Sequence, residues 1–319
     1  MQLNQLTDRV LHGGQISREQ AMFLHEQPLS ALCASADRIR RHFCANRFDL
    51  CTIINAKSGR CSENCKFCAQ SSHYHTSAAS YPLLPARQLA AHAKASRKRG
   101  VLRYSIVTSG RRLPEAEVAQ VCEAVREIRE KSGISVCISA GLLDEPSYRQ
   151  LKEAGVTRVH NNLETSRRYF PHICTTHTFE DKVQAIRAAQ AAGLSVCSGG
   201  IMGLGETVGD RIDMALTLRE LGIRSVPVNM LNPIPGTPLA GMPRLTQDDM
   251  RRIVAVYRFI LPDAAIRLAG GRGLLPDKGE SCFTSGANAA ISGDMLTTAG
   301  ITTETDLALL SRLGYEVKL

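Results

Sequence analysis

From residue 49 onward, short apolar runs alternate with amphipathic stretches. The runs at 50–55, 102–108, 134–139, 156–161, 194–199, 225–231 and 265–269, with a less defined one near 289–293, have the length of buried strands. Between them, apolar residues at helical spacing predict helices over 87–99, 115–131, 145–153, 179–192, 207–221, 246–260 and 280–288, with a last one over 304–313. Gly100, Gly133, Gly155, Gly193 and Gly222 stand shortly before predicted strands, where a helix C-terminus would end. Residues 1–48 read as helical: Ser17 to Gln20 resembles a capping box, and 34–43 carries apolar residues at helical spacing.

About eight strand–helix alternations without a composition break predict a (β/α)8 TIM-type barrel. The expected organisation is a helical extension over 1–48, a barrel over 49–300, and a C-terminal helix and tail over 301–319 in the same domain. A doubly wound sheet is the rival. It is weakened because nothing after the first strand resembles a phosphate-binding G-x-G-x-x-G loop.

Composition narrows the function. With 44% hydrophobic and 22% charged residues the chain can bury a real core, which excludes disorder for most of it. The net charge is +9, but basic residues are scattered in short clusters such as Arg97-Lys98-Arg99, and aromatics make up only 5%. That pattern favours a solvated surface or an anionic small ligand over nucleic acid. No apolar run reaches the roughly 18 residues of a spanning helix. The first residues lack a signal-peptide pattern, so the expectation is a cytoplasmic protein with no membrane partner.

Cysteine changes the picture most. There are 11, an odd number that argues against a disulfide framework. Cys61, Cys65 and Cys68 form C-x3-C-x2-C on a polar loop just after the first predicted strand. Three soft thiolates in eight residues suit zinc, copper(I) or an iron–sulfur cluster. Structural zinc usually takes four ligands, and His73 and His75 are the only nearby candidates for a fourth. A cubane cluster with three protein ligands instead keeps one iron open to a small molecule.

This loop, with an aromatic residue before its last cysteine, resembles the signature of the radical S-adenosylmethionine (SAM) superfamily. AKSGRCSENCKFCAQSSHY at 56–74, HNNLETS at 160–166, VCSGGIMGLGET at 196–207, PVNMLNPIPGTPL at 227–239, IRLAGGR at 266–272 and CFTSGANAAISGDMLTT at 282–298 together resemble the biotin synthase family. They span about three quarters of the chain. The resemblance implies a radical SAM barrel with a [4Fe–4S] cluster on Cys61, Cys65 and Cys68 that binds SAM. It implies reductive cleavage of SAM, hydrogen abstraction from dethiobiotin, and sulfur insertion from an auxiliary iron–sulfur cluster, a [2Fe–2S] or a variant, to give biotin. It also implies an electron donor such as flavodoxin or ferredoxin, and a homodimer. A related radical SAM enzyme, of the hydrogenase-cluster maturase or methylornithine synthase type, is the alternative; a basic zinc-binding nucleic-acid module is the non-enzyme one.

The barrel reading points separately to an interior site. Cys51, Cys137, Cys197 and Arg267 fall on the first, third, fifth and seventh predicted strands, and alternate strands share interior layers. Three thiols and a guanidinium facing one interior suit a cluster better than plain packing. The resemblance matches Cys137, Cys197 and Arg267 to auxiliary-cluster ligands. It also shows a departure: Ser105 occupies a position where better-known members carry cysteine, and Cys51 is the candidate replacement. Cys44 and Cys282 are weaker candidates; Cys122 and Cys174 read as ordinary.

Asn162 and Glu164 follow the fourth predicted strand, on the face where barrel active sites form. An amide can bind a ureido ring or a ribose hydroxyl, and a carboxylate can accept from ribose hydroxyls. A merely polar strand end fits these residues as well. By resemblance Asn162 touches SAM or substrate, Glu164 replaces an aspartate, and the contact of His160 stays open. Gly199 and Gly200 are small enough for a cofactor to approach their backbone. Glu206 and Thr207 also suit a helix start. Asn229 ends the sixth strand, and Thr297 and Thr298 resemble residues that bind the substrate carboxylate.

Overall fold

The computed structural model describes residues 2–319. Its longest strand, β1 (Arg47–Lys57), is the seam at which a parallel sheet closes on itself. The other strands are β2 (Arg103–Thr108), β3 (Ser135–Ser139), β4 (Val156–His160), β5 (Ser195–Cys197), β6 (Gly200–Met202), β7 (Ser225–Met230), β8 (Ala265–Leu268), β9 (Ala289–Ile291) and β10 (Glu316–Val317). Pairing runs β1-β2-β3-β4-β5-β7-β8-β9 and returns to β1, giving an eight-stranded ring; β6 pairs with β7, and β10 pairs with the start of β1. Closure leaves the ring without an open edge. All eight predicted barrel strands are present, so the expected (β/α)8 TIM-type barrel is the observed fold.

Local chemistry explains the helices between strands. Thr178, Thr207 and Thr246 each accept a hydrogen bond from the third backbone N–H of the following helix, and an aspartate there answers in a capping box. Gly133 and Gly155 end their helices at φ 62° and 115°, a left-handed backbone that suits glycine. The N-terminal extension is helical as expected, over Leu3–Leu11, Arg18–His25 and Leu29–Cys44. Its Ser17–Gln20 capping box forms in both directions.

Three details depart from the pattern. The helix expected over 280–288 stops at Phe283, because Gly286 turns the chain at φ 117° on its way into β9. The run at 194–199 ends as a strand at Cys197, and a second short strand starts at Gly200. Periodicity also gave no sign of β10, of the short helix Phe170–Ile173 or of the turn Arg272–Leu274.

Arg258 closes the structure behind the seam. Its guanidinium is fully buried and donates to the carbonyls of Gly286 (2.8 Å), Pro262 (2.9 Å) and Ala264 (2.8 Å) and to Asn288 Oδ1 (2.7 Å). These acceptors lie just before β8 and β9, so one side chain organises both strand entries. Replacing it by leucine strands several buried acceptors, each costing about 1–3 kcal/mol. Arg258→Leu should therefore lower the unfolding free energy by at least about 3 kcal/mol in urea titrations of the cluster-free chain. A loss below about 1 kcal/mol would contradict this role.

Candidate active site

Alternate side chains of the ring point inward and line a cavity of about 410 Å³. Cys51, Cys137, Cys197 and Arg267 all reach it, as the alternate-strand argument expects, and Arg103, Ser105 and Arg158 join them. Nearer the C-terminal strand ends stand Cys61, Cys65, Cys68, Asn162, Glu164, Asn229, Thr297 and Thr298. One cavity thus has a thiol-bearing floor and a thiol-bearing mouth.

The floor is built around Asp49. Its carboxylate faces Arg267 Nη2 at 2.8 Å, Arg158 Nη1 at 3.2 Å and Arg103 Nε at 3.6 Å. Burial opposes its charge, but the three guanidinium groups win and hold its carboxyl down to about 2. Arg267 Nη1 donates to the carbonyls of Asp49 (2.8 Å) and Ala290 (2.9 Å) and approaches Cys51 Sγ at 3.2 Å. Arg103 approaches Cys137 Sγ at 3.8 Å, and Ser225 Oγ donates to Cys197 Sγ at 3.2 Å. Burial pushes the Cys51 thiol up to about 12 and also raises Cys137, with neighbouring arginines opposing the rise. At Cys197 burial is outweighed by His160, Arg267 and Arg158, which bring the thiol down to about 6. His160 lines the same cavity, opposite Cys197 in the strand register.

The mouth is a loop tied back to its neighbours. Cys61 N–H donates to Gln70 O (3.1 Å), Ser72 N–H to Cys61 O (2.8 Å), and Lys66 N–H to Ile173 O (2.9 Å). Arg60 enters the first cysteine at φ 50° and Glu164 sits at φ 70°; such left-handed residues cluster at functional sites. Buried Glu63 accepts from His177 Nδ1 (2.5 Å) and Thr176 Oγ (2.8 Å), pinning the loop to residues 173–177. Cys174, read from sequence as ordinary, lies 3.7 Å from Cys65, sulfur to sulfur. His73 and His75 do not line the cavity, and His73 Nε2 meets Ser62 O instead.

Between floor and mouth the polar residues are fixed. Asn162 accepts from Gly199 N–H (3.1 Å) and donates toward Glu164 Oε2 (3.3 Å). Burial raises the Glu164 carboxyl, with Lys182 opposing it. Asn229 bridges Gly200 O (2.9 Å) and Gly270 N–H (2.9 Å). A side-chain carbon on Gly199 would fall 1.9 Å from Pro227 O, and one on Gly200 2.3 Å from Glu164 O. Protein backbone takes the space on the side-chain side of each glycine, and neither lines the cavity. Lys182 was missed: a lysine on an amphipathic helix looks like surface, yet it lines the cavity beside Cys65 and Glu164.

The donor chemistry fits iron–sulfur clusters. Neither the mouth trio nor the floor trio has its sulfurs all within 4.8 Å of one another, the closeness one ion would need among the described residues. Thiolates on different irons of a cluster stand wider apart. Barrel, cysteine loop and the cavity beneath it together define a radical SAM enzyme, a class that carries a [4Fe–4S] cluster and SAM. Residues 56–218 match the radical SAM superfamily, and residues 227–316 match the Biotin and Thiamin Synthesis associated domain.

Two curated relatives, each named biotin synthase, are 58% identical. The one from Brachyspira hyodysenteriae covers 99% of this chain and 95% of its own length; the one from Akkermansia muciniphila covers 98% of each. The chain belongs to the biotin synthase family, and it is an enzyme, a radical SAM sulfurtransferase. A crystal structure of methylornithine synthase superposes with TM-score 0.86 over 98% of this chain and 97% of its own, but at 20% identity it shows the fold alone. The alternative reading as an enzyme of that type is not favoured. No helix among the described residues is long and apolar enough to cross a membrane.

Asp49→Asn would leave three floor guanidiniums without their carboxylate. Losing one partner of a buried ion pair costs about 3–5 kcal/mol. The variant should unfold at clearly lower urea concentration, and an unchanged midpoint would show that Asp49 does not hold the floor.

Proposed function

We propose that this enzyme converts dethiobiotin to biotin, with Cys61, Cys65 and Cys68 holding the [4Fe–4S] cluster and Cys51, Cys137 and Cys197 holding an auxiliary iron–sulfur cluster. The observation that carries the reading is the pairing of two thiol sets across one cavity, with polar side chains between them. When bound, the [4Fe–4S] cluster supplies the electron that cleaves SAM into methionine and a 5′-deoxyadenosyl radical able to take hydrogen from unactivated carbon.

The residues of this chain position and shield that chemistry. Glu164 accepts from the ribose hydroxyls of SAM, and Lys182 meets its carboxylate. Asn162, already oriented by Gly199, offers its remaining polar capacity to SAM or to the ureido ring. Asn229 contacts the substrate ring. Thr297 and Thr298 take the substrate carboxylate, on a segment anchored where Asn55 donates to Leu296 O (2.9 Å).

On the floor, Cys51 takes the place of the missing cysteine at Ser105, since a hydroxyl is a harder and less acidic donor than a thiol. Arg267, which the family resemblance matches to an auxiliary-cluster ligand, stands beside Cys51 with its Nη2 2.8 Å from Asp49. The net charge of +9 suits an anionic one-electron carrier, flavodoxin or ferredoxin. The family likeness supports a cytoplasmic homodimer with a single domain over 49–319 behind its helical extension.

Cys51→Ala is the test. It should spare SAM cleavage, measured as 5′-deoxyadenosine, while stopping biotin formation and lowering iron and sulfide content. Ser105→Ala should cost much less, and Cys61→Ala should abolish SAM cleavage itself. Full iron content and biotin yield in Cys51→Ala, with both lost in Ser105→Ala, would make serine the ligand and overturn the assignment.

A further inference from the structure

Cys174 takes no part in the chemistry above, yet its thiol touches a residue that does. Among the described residues, the one hydrogen bond between two thiols joins Cys65 and Cys174, with the sulfurs 3.7 Å apart. We infer that these two cysteines are a modification site of the cluster-free chain, where a peroxide links them in a reversible disulfide. Because the proposed [4Fe–4S] cluster also needs Cys65, disulfide and cluster exclude each other. Only this exclusion rests on the function proposed above.

Position carries the argument. A disulfide holds its sulfurs about 2.05 Å apart, so each sulfur here has to close by less than about 1 Å. Side-chain rotation supplies such a movement. The backbone on both sides is already arranged for it. Lys66 N–H donates to Ile173 O (2.9 Å), and Thr175 N–H donates to Asn64 Oδ1 (2.9 Å). The residues flanking Cys65 are thus tied to the residues flanking Cys174, in the antiparallel sense that sets 65 opposite 174. Glu63 extends the tie to Thr176 (2.8 Å) and His177 (2.5 Å). Cys61 and Cys68 are nearer in sequence, but neither thiol hydrogen-bonds to that of Cys65.

Access and reversibility give the site its use. Cys65 is half-buried and lines the cavity, whereas Cys174 is only 3% exposed. A peroxide therefore arrives by the cavity. Two thiols and one hydrogen peroxide give one disulfide and two waters. The S–S bond forms and the O–O bond breaks; two electrons pass from sulfur to oxygen, and the two thiol protons go to the departing oxygens. Without a partner thiol, further peroxide carries a cysteine to sulfinic acid, which thiol reductants do not restore. Thiol exchange reopens a disulfide, so the link keeps Cys65 available for a later cluster.

The test uses the full-length chain, freed of iron anaerobically and then given one molar equivalent of hydrogen peroxide. Alkylation, digestion without reductant and mass spectrometry should find the Cys65 and Cys174 peptides joined as the main disulfide, with two of the 11 thiols lost per linked chain. A main link from Cys65 to Cys61 or Cys68, or Cys174 recovered free, would overturn the inference. This readout needs no variant, so it stands even if a substitution prevents folding. Cys174→Ser should lose the link and leave Cys65 open to sulfinic acid under excess peroxide, seen as a gain of two oxygens. During reconstitution of the linked chain with iron and sulfide, the reduced-cluster EPR signal that SAM alters should grow no faster than the link reopens. That signal on chains still linked would overturn the exclusion. A never-oxidised chain that loads no cluster on the cysteine loop would count against the proposed function and leave the disulfide standing.

Discussion

A single carboxylate holds the barrel floor together. Asp49 sits among Arg103, Arg158 and Arg267, and without it three guanidinium groups would face one another in a space of low polarity. With it, the floor still carries an excess of positive charge. That excess costs stability in the empty cavity, and the negative thiolates of the proposed auxiliary cluster would offset it. The arginines are anchored, because each sits on a strand and donates to another strand: Arg103 to Ser135 Oγ, Arg158 to Ser225 Oγ and Arg267 to Ala290 O. Arg267 is the clearest case: its Nη1 alone reaches Asp49 O, Ala290 O and Cys51 Sγ.

One strand links the two thiol sets. β1 carries Asp49 and Cys51 at its start, pairs with both β2 and β9, and runs directly into the loop of Cys61, Cys65 and Cys68. The distance from floor to mouth is therefore set by regular strand geometry and not by a flexible connection. Asn162, Glu164 and Asn229 are fixed in the same way, by bonds to Gly199, Gly200 and Gly270 across neighbouring strand ends. Radical chemistry needs such fixed separation, since a reactive carbon radical must meet one partner and no other.

Much of this could be read from the chain. The alternation of runs gave the barrel because each strand is buried on both faces and each helix on one. Cys51 could be read because it falls in step with Cys137, Cys197 and Arg267 on alternate strands. Other features left no local mark. Cys174 is 109 residues from Cys65, and nothing in its own neighbourhood announces their meeting. Asp49 looks like an ordinary polar residue at a strand start, and its importance appears only with Arg103, Arg158 and Arg267 around it. Gly199 and Gly200 carry a packing demand that the sequence does not announce: neighbouring backbone takes the space a side chain would need. The helix over 280–288 was overread because its apolar spacing continues past Gly286, which the folded chain uses as a turn.

The central claim is that two iron–sulfur centres share one cavity, one at the mouth and one on the floor. Anomalous diffraction at the iron absorption edge, from crystals grown anaerobically, measures this directly. The account predicts two separate iron peaks, the first among Cys61, Cys65 and Cys68 and the second bonded to Cys51, Cys137 and Cys197. A single peak at the mouth, or a floor peak bonded to Ser105 with Cys51 standing free, would contradict it.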